Sequence, residues 1–315
     1  MKNILKKVGK IALMAVASLL ALVIVVIGVF NVAKLAIYRE YYSSKTDICK
    51  NPGLNDGFVC QGIAASEENG VILVSGYMKD HSASRIYVTD LENNSRYVIL
   101  KKGNDIFTGH AGGVSTNGEN IYVANGGKVY VIPLDTVLNT AAGDAVDVGE
   151  GIEVNNNASF SYCDDTYLYV GEFNDGGKYT IEGHKNETAE GTHYAICSKY
   201  SLDDITTPVA VYSIRDTVQG ICFAPDGRVI MSTSYGVSDS VYYVYNLADA
   251  TDSKKMVDGA PLYYIDKLVK EVKGPAMAEG LDWYDGKVIT LTESASNKYI
   301  FGKLFWANEI VGLSF

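Results

Sequence analysis

Short apolar runs alternate with polar turns along most of the chain. The segment MAEGLDWYDGKVITLTES, residues 277–294, shows the pattern, with one run before a turn at Asp285-Gly286 and a second run after it. Runs of this length, bounded by Gly and Asp, predict two β-strands joined in a hairpin. The segment also places a carboxylate, Glu279, at the start of its first strand, where the strand is expected to enter a core.

The same pattern recurs in four other segments. Each segment opens with a polar residue, and a short apolar stretch, a polar turn and a further strand follow. The opening residues are spaced by 49, 47, 62 and 60 positions and are Gln61, His110, Asn157, Gln219 and Glu279. Most units also contain a third strand, and several contain a fourth, as at 84–91 and 96–100 in the first unit.

Four antiparallel strands that recur at such intervals are typical of the blades of a β-propeller. The sequence therefore predicts an all-β fold with five blades, and a sixth, degenerate blade inside the third or fourth unit remains an alternative. The fifth unit is short. Residues 298–305 and 309–315 are predicted to supply its third and fourth strands, or residues 53–58 close the ring instead.

Three segments between the repeats receive separate predictions. The polar, Gly-rich segment 174–192 is predicted to be a loop on one face rather than a blade. Residues 261–265 are predicted to be the fourth strand of the fourth blade. Residues 266–273 are predicted to form an amphipathic turn or an edge strand between blades four and five.

The N-terminal region differs from the rest of the chain. Residues 11–32 contain no charged side chain, and lysines at positions 2, 6, 7 and 10 precede them. At about 1.5 Å per residue such a helix reaches roughly 33 Å, enough to cross the core of a bilayer. The lysines favour a cytoplasmic N-terminus. An uncleaved anchor is favoured over a cleaved signal peptide, because no small-x-small site follows the apolar run.

These patterns divide the chain into three parts. Residues 1–33 are predicted to hold the cytoplasmic lysines and the transmembrane anchor, with the membrane contacted through residues 11–33. Residues 34–57 are predicted to form a tether, and residues 58–315 an extracytoplasmic β-propeller at the cell membrane. The prediction is thus a single-pass protein with its N-terminus in the cytoplasm.

Charge limits the classes of partner. Residues 1–40 carry six basic side chains and one acidic side chain, so the remainder carries a net charge of −15, against −10 for the whole chain. An acidic body argues against nucleic acid and against anionic lipid as partners. The five cysteines show neither a CxxC motif nor metal-ligand spacing. Most of them are expected to be small buried hydrophobes, although Cys49 and Cys60 could pair in an oxidising compartment.

The repeat also predicts a polar ring. The first strand of each propeller blade lines the central channel, so Gln61, His110, Asn157, Gln219 and Glu279 are expected to face one axis near one mouth. The second strand returns to the same face, where the sequence places Glu172, Ser234 and Glu293 at matching positions. Glu279 therefore need not enter a dry core, because it can point into a hydrated funnel.

Four interpretations of this ring remain open. Glu279 and Asn157, together with the Gln side chains, offer the oxygen ligands that calcium prefers. Glu279 or Glu293 could act with His110 in acid–base chemistry. The ring could bind a small molecule, a saccharide or a protein, or its polar groups could simply hydrogen-bond to water along the axis. His81, His184 and His193 are expected to be solvated.

Two segments carry a family resemblance. QGICFAPDGRVIMSTS, residues 219–234, resembles the repeat of the gluconolactonase and strictosidine-synthase-like propellers and of non-enzymatic NHL-type propellers. EGLDWYDGKV, residues 279–288, is similar to the glutamate-bearing segment of the gluconolactonase-like family, in which Glu279 would match a metal-ligating carboxylate. Residues 276–304 also resemble uncharacterised bacterial propeller proteins that are membrane-anchored or secreted. The first resemblance implies a propeller and a calcium site.

The sequence therefore favours a membrane-anchored, extracytoplasmic propeller that acts as a ligand- or protein-binding module at the cell surface. The alternative is a calcium-assisted hydrolase of lactone, ester or glycosidic substrates. The sequence does not decide between a binding protein and an enzyme.

Overall fold

The computed structural model describes residues 2–315, without the side chains of residues 2, 3 and 5. Met1, which opens the predicted segment 1–33, and the side chain of Lys2 lie outside the described part of the chain. The described residues form three α-helices, α1 (Lys2–Ile37), α2 (Arg39–Ser44) and α3 (Leu134–Asn139).

Short strands make up most of the rest of the chain. In chain order they are β1 (Lys45–Lys50), β2 (Phe58–Ser66), β3 (Val71–Met78), β4 (Arg85–Asp90), β5 (Ser95–Lys102), β6 (Asp105–Ile106), β7 (Gly113–Thr116), β8 (Asn120–Asn125), β9 (Lys128–Pro133), β10 (Ala145–Asp147), β11 (Ile152–Glu153), β12 (Phe160–Cys163), β13 (Tyr167–Gly171), β14 (Asn186–Thr188), β15 (Gly191–His193), β16 (Ala195–Ser201), β17 (Asp204–Ile214), β18 (Val218–Phe223), β19 (Arg228–Thr233), β20 (Ser240–Asn246), β21 (Thr251–Val257), β22 (Ala260–Tyr264), β23 (Leu268–Gly274), β24 (Ala278–Tyr284), β25 (Lys287–Thr292) and β26 (Glu309–Leu313).

Five sheets form the five blades. Blade one is β2-β3-β4-β5 with β6 and β10 at its outer edge, blade two is β7-β8-β9-β11, and blade four is β18-β19-β20-β23. Blade three is β12-β13-β16-β17-β22-β21, and blade five is β24-β25-β26-β1. The first strands β2, β7, β12, β18 and β24 each contact the next, and β24 contacts β2, which closes the ring. The five-bladed prediction is confirmed.

The inner strands meet so closely that some positions have no room for a side chain. A Cβ atom on Gly62 of β2 would lie 2.3 Å from the backbone nitrogen of Val114 in β7. A Cβ atom on Gly113 would lie 2.2 Å from the nitrogen of Ser161 in β12. Glycine at these positions allows neighbouring blades to pack backbone against backbone around the axis.

The ring closes differently from either prediction. Strand β1 pairs antiparallel with β26, from Lys45 beside Leu313 to Lys50 beside Glu309, and supplies the outer strand of blade five. Residues 309–313 are therefore its third strand, and residues 302–305 form a short 3-10 helix. Joining the first and last strands, β1 and β26, in one sheet closes the ring with backbone hydrogen bonds. Residues 45–50 of the predicted tether thus belong to the propeller.

Blades three and four also depart from the predicted strand assignment. Residues 260–264 form β22, which pairs parallel with β17 of blade three, so the prediction that 261–265 belong to blade four is wrong. The fourth strand of blade four is β23, which lies in the segment predicted as a turn or an edge strand. The pattern of apolar residues predicted a strand in each case, but it did not specify the sheet that each strand joins.

Helix α1 leaves the propeller as a separate element. Residues 6–37 form one helix long and apolar enough to cross a membrane, and its apolar span is exposed. Contact with the propeller is made near its C-terminal end, where the rings of Phe30 and Phe305 lie 5.5 Å apart. Helix α2 then buries Tyr41 against Tyr242. The five cysteines are buried and free, so the alternative of a bond between Cys49 and Cys60 is not realised.

Candidate functional site

A cavity of about 430 Å³ lies at one mouth of the ring. Its wall consists of amide, aromatic and small side chains together with the imidazole of His110, and it contains no carboxylate, lysine or arginine. The lining residues are Gln61, Gly109, His110, Gly112, Asn125, Gly126, Asn157, Ala158, Ser159, Phe173, Tyr179 and Gln219. Four of the five predicted ring residues therefore meet at one cavity, and the fifth, Glu279, lies outside its lining.

Two local devices bring the ring residues to this mouth. In blades one and four the inner strand contains a β-bulge, and Gln61 and Gln219 are the extra residues. Blade five has a bulge at the matching place, between Ala278 and Leu281, which includes Glu279. A bulge leaves one residue without a partner in the strand ladder and redirects its side chain. These three side chains are thus turned out of the sheets at equivalent positions.

Blades two and three use a different device. His110 and Asn157 precede their inner strands, and each is followed by an alanine in the left-handed region, Ala111 at φ 48° and Ala158 at φ 46°. Non-glycine residues rarely adopt this conformation, so the surrounding structure must hold it in place. The amide oxygen of Asn125 accepts a hydrogen bond from the nitrogen of Ala111, and Asn156 Oδ1 accepts one from Ala158.

A pair of carboxyl groups adjoins the cavity at blade five. Glu279 is 2% exposed, and its carboxyl group accepts no hydrogen bond from the described residues. Glu293 accepts a hydrogen bond of 2.9 Å from Gln61, which itself lines the cavity. Burial and the neighbouring Glu293 raise the pKa of Glu279 well above its ordinary value. Burial also raises the pKa of Glu293 to about 7. The pair therefore favours holding a proton near neutral pH.

An aromatic and basic group links this pair to His110. The hydroxyl of Tyr299 lies beside Glu293 and partly offsets the rise in its pKa, and the amine of Lys298 donates to the hydroxyl of Tyr77. The ring of Tyr77 lies 4.6 Å from the ring of His110, edge to face. Burial lowers the pKa of His110, and the positive charge of Lys298 lowers it further. His110 is thus neutral at pH 7 and faces an aromatic ring rather than either carboxyl group.

Glu172 has a different environment in blade three. It is 1% exposed, and its carboxyl group accepts hydrogen bonds from the backbone nitrogens of Ile196 at 3.0 Å and Asn157 at 3.4 Å. His184 Nδ1 lies 2.6 Å from Glu172 Oε1. The expectation that His184 is solvated is wrong, because this contact holds it against the blade. Glu172 and His184 fasten the long 174–192 segment beside the cavity.

His193 also departs from expectation, since it is buried in β15 and its Nδ1 has no hydrogen-bond partner among the described residues. Ser234 lies beside the cavity, where its hydroxyl accepts a hydrogen bond of 3.4 Å from Gln219.

The structure adds residues that sequence reasoning did not identify. Asn125 ends β8 at the position where Glu172, Ser234 and Glu293 follow the second strands of other blades, so the repeat itself could have identified it. Phe173 and Tyr179 line the cavity from the connection 172–194 between β13 and β16. No repeat marks them, because they belong to an insertion that only blade three carries.

The predicted calcium ligands do not lie together on the cavity wall. Asn157 lines the cavity, and its side-chain amide donates to the carbonyl of Tyr179 at 3.3 Å, whereas Glu279 belongs to the buried carboxyl pair. The described residues include no group of three or more His, Cys, Asp or Glu side chains arranged to hold a metal. Calcium takes six to eight oxygen ligands, so this donor set fits it poorly as it stands, and calcium binding stays a prediction.

Comparison with known proteins gives similarity at the level of the fold. No protein-family model matches the sequence, and no curated protein matches it. Among solved structures, the chain is similar to the PQQ-bound aldose sugar dehydrogenase of Streptomyces coelicolor, with 13% identity and a TM-score of 0.44 over 78% of this chain and 76% of that one.

Two other solved structures are similar at the same level. The WD40 β-propeller domain of Doa1 matches with 10% identity and a TM-score of 0.40 over 79% of this chain and 80% of that one. BamB from Moraxella catarrhalis matches with 7% identity and a TM-score of 0.34 over 81% and 83% of the two chains. By its own strand order and ring closure, the chain is a β-propeller preceded by one apolar helix.

Proposed function

We propose that this chain is a membrane-anchored binding module whose ring cavity takes a small, neutral, polar ligand of the saccharide class. The observation that carries the proposal is the composition of the cavity wall, which combines four amide side chains and two aromatic rings with no formally charged side chain. A volume of about 430 Å³ suits a small molecule, since ligand sites commonly measure roughly 300–1,000 Å³.

The chemistry of a sugar matches this wall. Asn and Gln amides donate and accept hydrogen bonds, as sugar hydroxyls do, so the two sets can pair without a net charge. The rings of Phe173 and Tyr179 lie edge to face with centroids 6.1 Å apart. Aromatic rings of this kind offer an apolar surface to the C–H face of a sugar. A charged ligand would find no partner of opposite charge among the lining residues.

The packing of α1 supports retention of the helix as an anchor. Lys34 is buried and donates from Nζ to the carbonyl of Phe305 at 2.8 Å, and Tyr38 donates to Asp239 at 2.8 Å. These contacts make the end of the helix part of the folded propeller. Four lysines at the other end, at positions 2, 6, 7 and 10, favour the cytoplasmic side for the N-terminus. The propeller would then lie outside the cytoplasm.

The test is calorimetric titration of the full chain in lipid nanodiscs with a panel of neutral mono- and disaccharides. Asn157→Ala and Gln219→Ala should each weaken binding about fivefold, since a lost hydrogen bond commonly costs on the order of 1 kcal/mol. Asn69→Ala is the matched control, because Asn69 lies in the turn between β2 and β3 at the other end of the blade. Absence of binding across the panel, or equal affinity in the cavity variants and the control, overturns the proposal.

A second candidate function is hydrolysis of a lactone, ester or glycosidic bond. The buried pair Glu279 and Glu293 favours it, because the pair is linked to the cavity wall through Gln61 and two carboxyl groups with raised pKa values suit acid–base chemistry. Turnover of a chromogenic substrate panel by the wild type, with loss of turnover in Glu279→Gln, would support this function. No turnover by the wild type would leave binding alone.

A further inference from the structure

The chain enters the propeller through the same face that carries the cavity. Lys34 bonds to the carbonyl of Phe305, which lies in the connection between β25 and β26. Tyr38 bonds to Asp239, which lies in the connection between β19 and β20. Strands β19 and β25 both run toward the cavity mouth and end beside Ser234 and Glu293. Helix α1 therefore leaves the molecule on the cavity side.

Exposed apolar side chains border this exit. Within the β25–β26 connection Ile300 is 82% exposed, Phe301 75% and Trp306 63%. Tyr235 and Val237 in the β19–β20 connection are each 63% exposed. We call these five residues the apolar rim. Single exposed apolar residues are ordinary, but five large ones in the two connections that hold the membrane helix form a pattern that requires an apolar partner.

The length of α1 determines how deep the apolar rim lies relative to the bilayer. Residues 11–33 reach about 34 Å, somewhat more than the hydrocarbon core of roughly 30 Å. Lys34, which follows this run, then lies at the level of the headgroups, and Phe305 lies beside it. Tyr38 is one turn further along the axis, about 6 Å away. Both connections thus fall within the interfacial layer, where Trp and Tyr side chains are enriched.

We propose that the apolar rim inserts into the interfacial layer of the bilayer that α1 crosses, so that the cavity face lies against the membrane. This inference rests on the proposed anchoring by α1. The charge of the rim segment agrees with a lipid partner, because residues 298–306 contain Lys298 and Lys303 and no acidic residue. The net charge of this segment is thus positive, whereas the propeller as a whole is acidic. The side chains that repel anionic lipid lie outside this segment.

The arrangement limits what can reach the cavity. A face that rests on headgroups leaves no room for a folded protein at the cavity mouth. A small sugar can enter from the side, and a sugar that is part of a lipid headgroup can enter directly. Membrane contact therefore favours a small or lipid-linked ligand over a protein partner at this site.

The two tryptophans of the chain allow a direct test. Trp306 belongs to the rim, and Trp283 lies near the other end of β24, partly buried and away from the cavity mouth. Trp283→Phe leaves Trp306 as the single tryptophan, and Trp306→Phe leaves Trp283, each excited selectively over the tyrosines. Each full-length variant is reconstituted into phosphatidylcholine nanodiscs with a nitroxide on the lipid headgroup. We expect the label to quench Trp306 at least about twofold more than Trp283.

A second variant tests insertion through a change at another residue of the rim. Phe301→Asp in the single-Trp306 chain should reduce quenching, because a charge in the rim opposes insertion. Leu91→Asp is the matched control, since Leu91 is 45% exposed and follows β4 at the other end of blade one. Equal quenching of Trp306 and Trp283, or no difference between the Asp variants, overturns the inference.

The outcome also separates the inference from the proposed function. Retention in the membrane after carbonate washing reports the anchor, and saccharide titration reports the cavity. A chain that is retained and binds sugar, but whose Trp306 is not quenched, would hold its propeller away from the bilayer. Only the membrane contact would then be rejected. A chain that is washed off the membrane would overturn both the anchoring and the inference built on it.

Discussion

The two faces of the propeller are built differently. On the face opposite the cavity, the first and second strands of every blade are joined by short turns at 67–70, 117–119, 164–166, 224–227 and 285–286. On the cavity face, the connections after the second strands range from the two residues 126–127 to the segments 172–194 and 293–308. On one face, tight turns simply join consecutive strands. On the other face, longer connections carry side chains that the turns do not need.

The two faces also differ in how much their local structure stabilises the fold. Asp and Asn side chains on the opposite face bond to their own turns, as Asp164 does with the nitrogens of Thr166 and Tyr167. The cavity face instead holds left-handed alanines, a carboxyl pair and exposed aromatic side chains, each of which costs free energy in isolation. Such features are expected at functional sites rather than in a structural scaffold.

The largest expected effect on stability comes from comparing two glutamates, one on each face. Glu172→Ala removes a buried carboxyl group that serves two backbone nitrogens and His184, so we expect a loss of roughly 2–4 kcal/mol in the free energy of unfolding. Urea denaturation of the full chain measures it. Glu67→Ala is the matched change on the opposite face, where the exposed side chain accepts one hydrogen bond from Asp285. It should cost no more than about 0.5 kcal/mol, and equal losses would contradict the contrast.

A smaller effect is expected from pH. Because the folded pKa of Glu293, about 7, lies above its ordinary value of 4.5, the folded state keeps a proton that the unfolded state releases in this window. Stability should therefore fall as pH rises from about 4.5 to 7, by at most about 1.4 kcal/mol per pH unit for one proton, and then level off. Thermal unfolding of the full chain across this range measures the slope.

Glu279→Gln separates the carboxyl pair from other groups in that profile. The variant removes one member of the pair, so it should melt at a higher temperature than the wild type at pH 8 and at nearly the same temperature at pH 4.5. Asp282 has a raised pKa of about 7 on the same strand and should leave part of the slope in place. A profile unchanged by Glu279→Gln would show that the pair shares no proton.

The smallest expected effect concerns calcium. A pair that holds a proton has no need of a cation, so removal of calcium with EGTA at pH 7 should change the melting temperature by less than about 1 °C. A larger fall that added calcium reverses, and that Glu279→Gln abolishes, would show that the pair binds calcium. That result would favour the hydrolase function over simple recognition.

Much of the fold could be predicted because most strands that pair within a propeller blade are consecutive in sequence. The repeat predicted most of the strands, the number of blades and four of the side chains that line the cavity. It did not give ring closure by residues 45–50 or the transfer of residues 260–264 to blade three. Both depend on hydrogen bonds between strands that are distant in sequence, and an apolar pattern does not name its partner.

The site was predictable in part for the same reason. Gln61 and Gln219 could be placed because bulges turn them out at equivalent positions. The partner of His184 could not be predicted, since an insertion folds back over 12 residues to reach Glu172. The burial of Glu279 and its electrostatic coupling to Glu293 could not be predicted either, because the repeat placed both residues at one mouth without indicating how deeply they are buried. The apolar rim could not be predicted from the sequence, because its residues belong to two connections that only the fold brings to the end of α1.

Amide hydrogen exchange of the full chain in lipid nanodiscs tests most directly whether function is confined to the cavity face. The neutral saccharide that binds most tightly in the panel serves as the probe. The account predicts that the saccharide slows exchange in residues 107–113 and 155–180, and leaves the turns at 67–70 and 285–286 unchanged. Protection of the opposite face, or no protection beside the cavity, would contradict it.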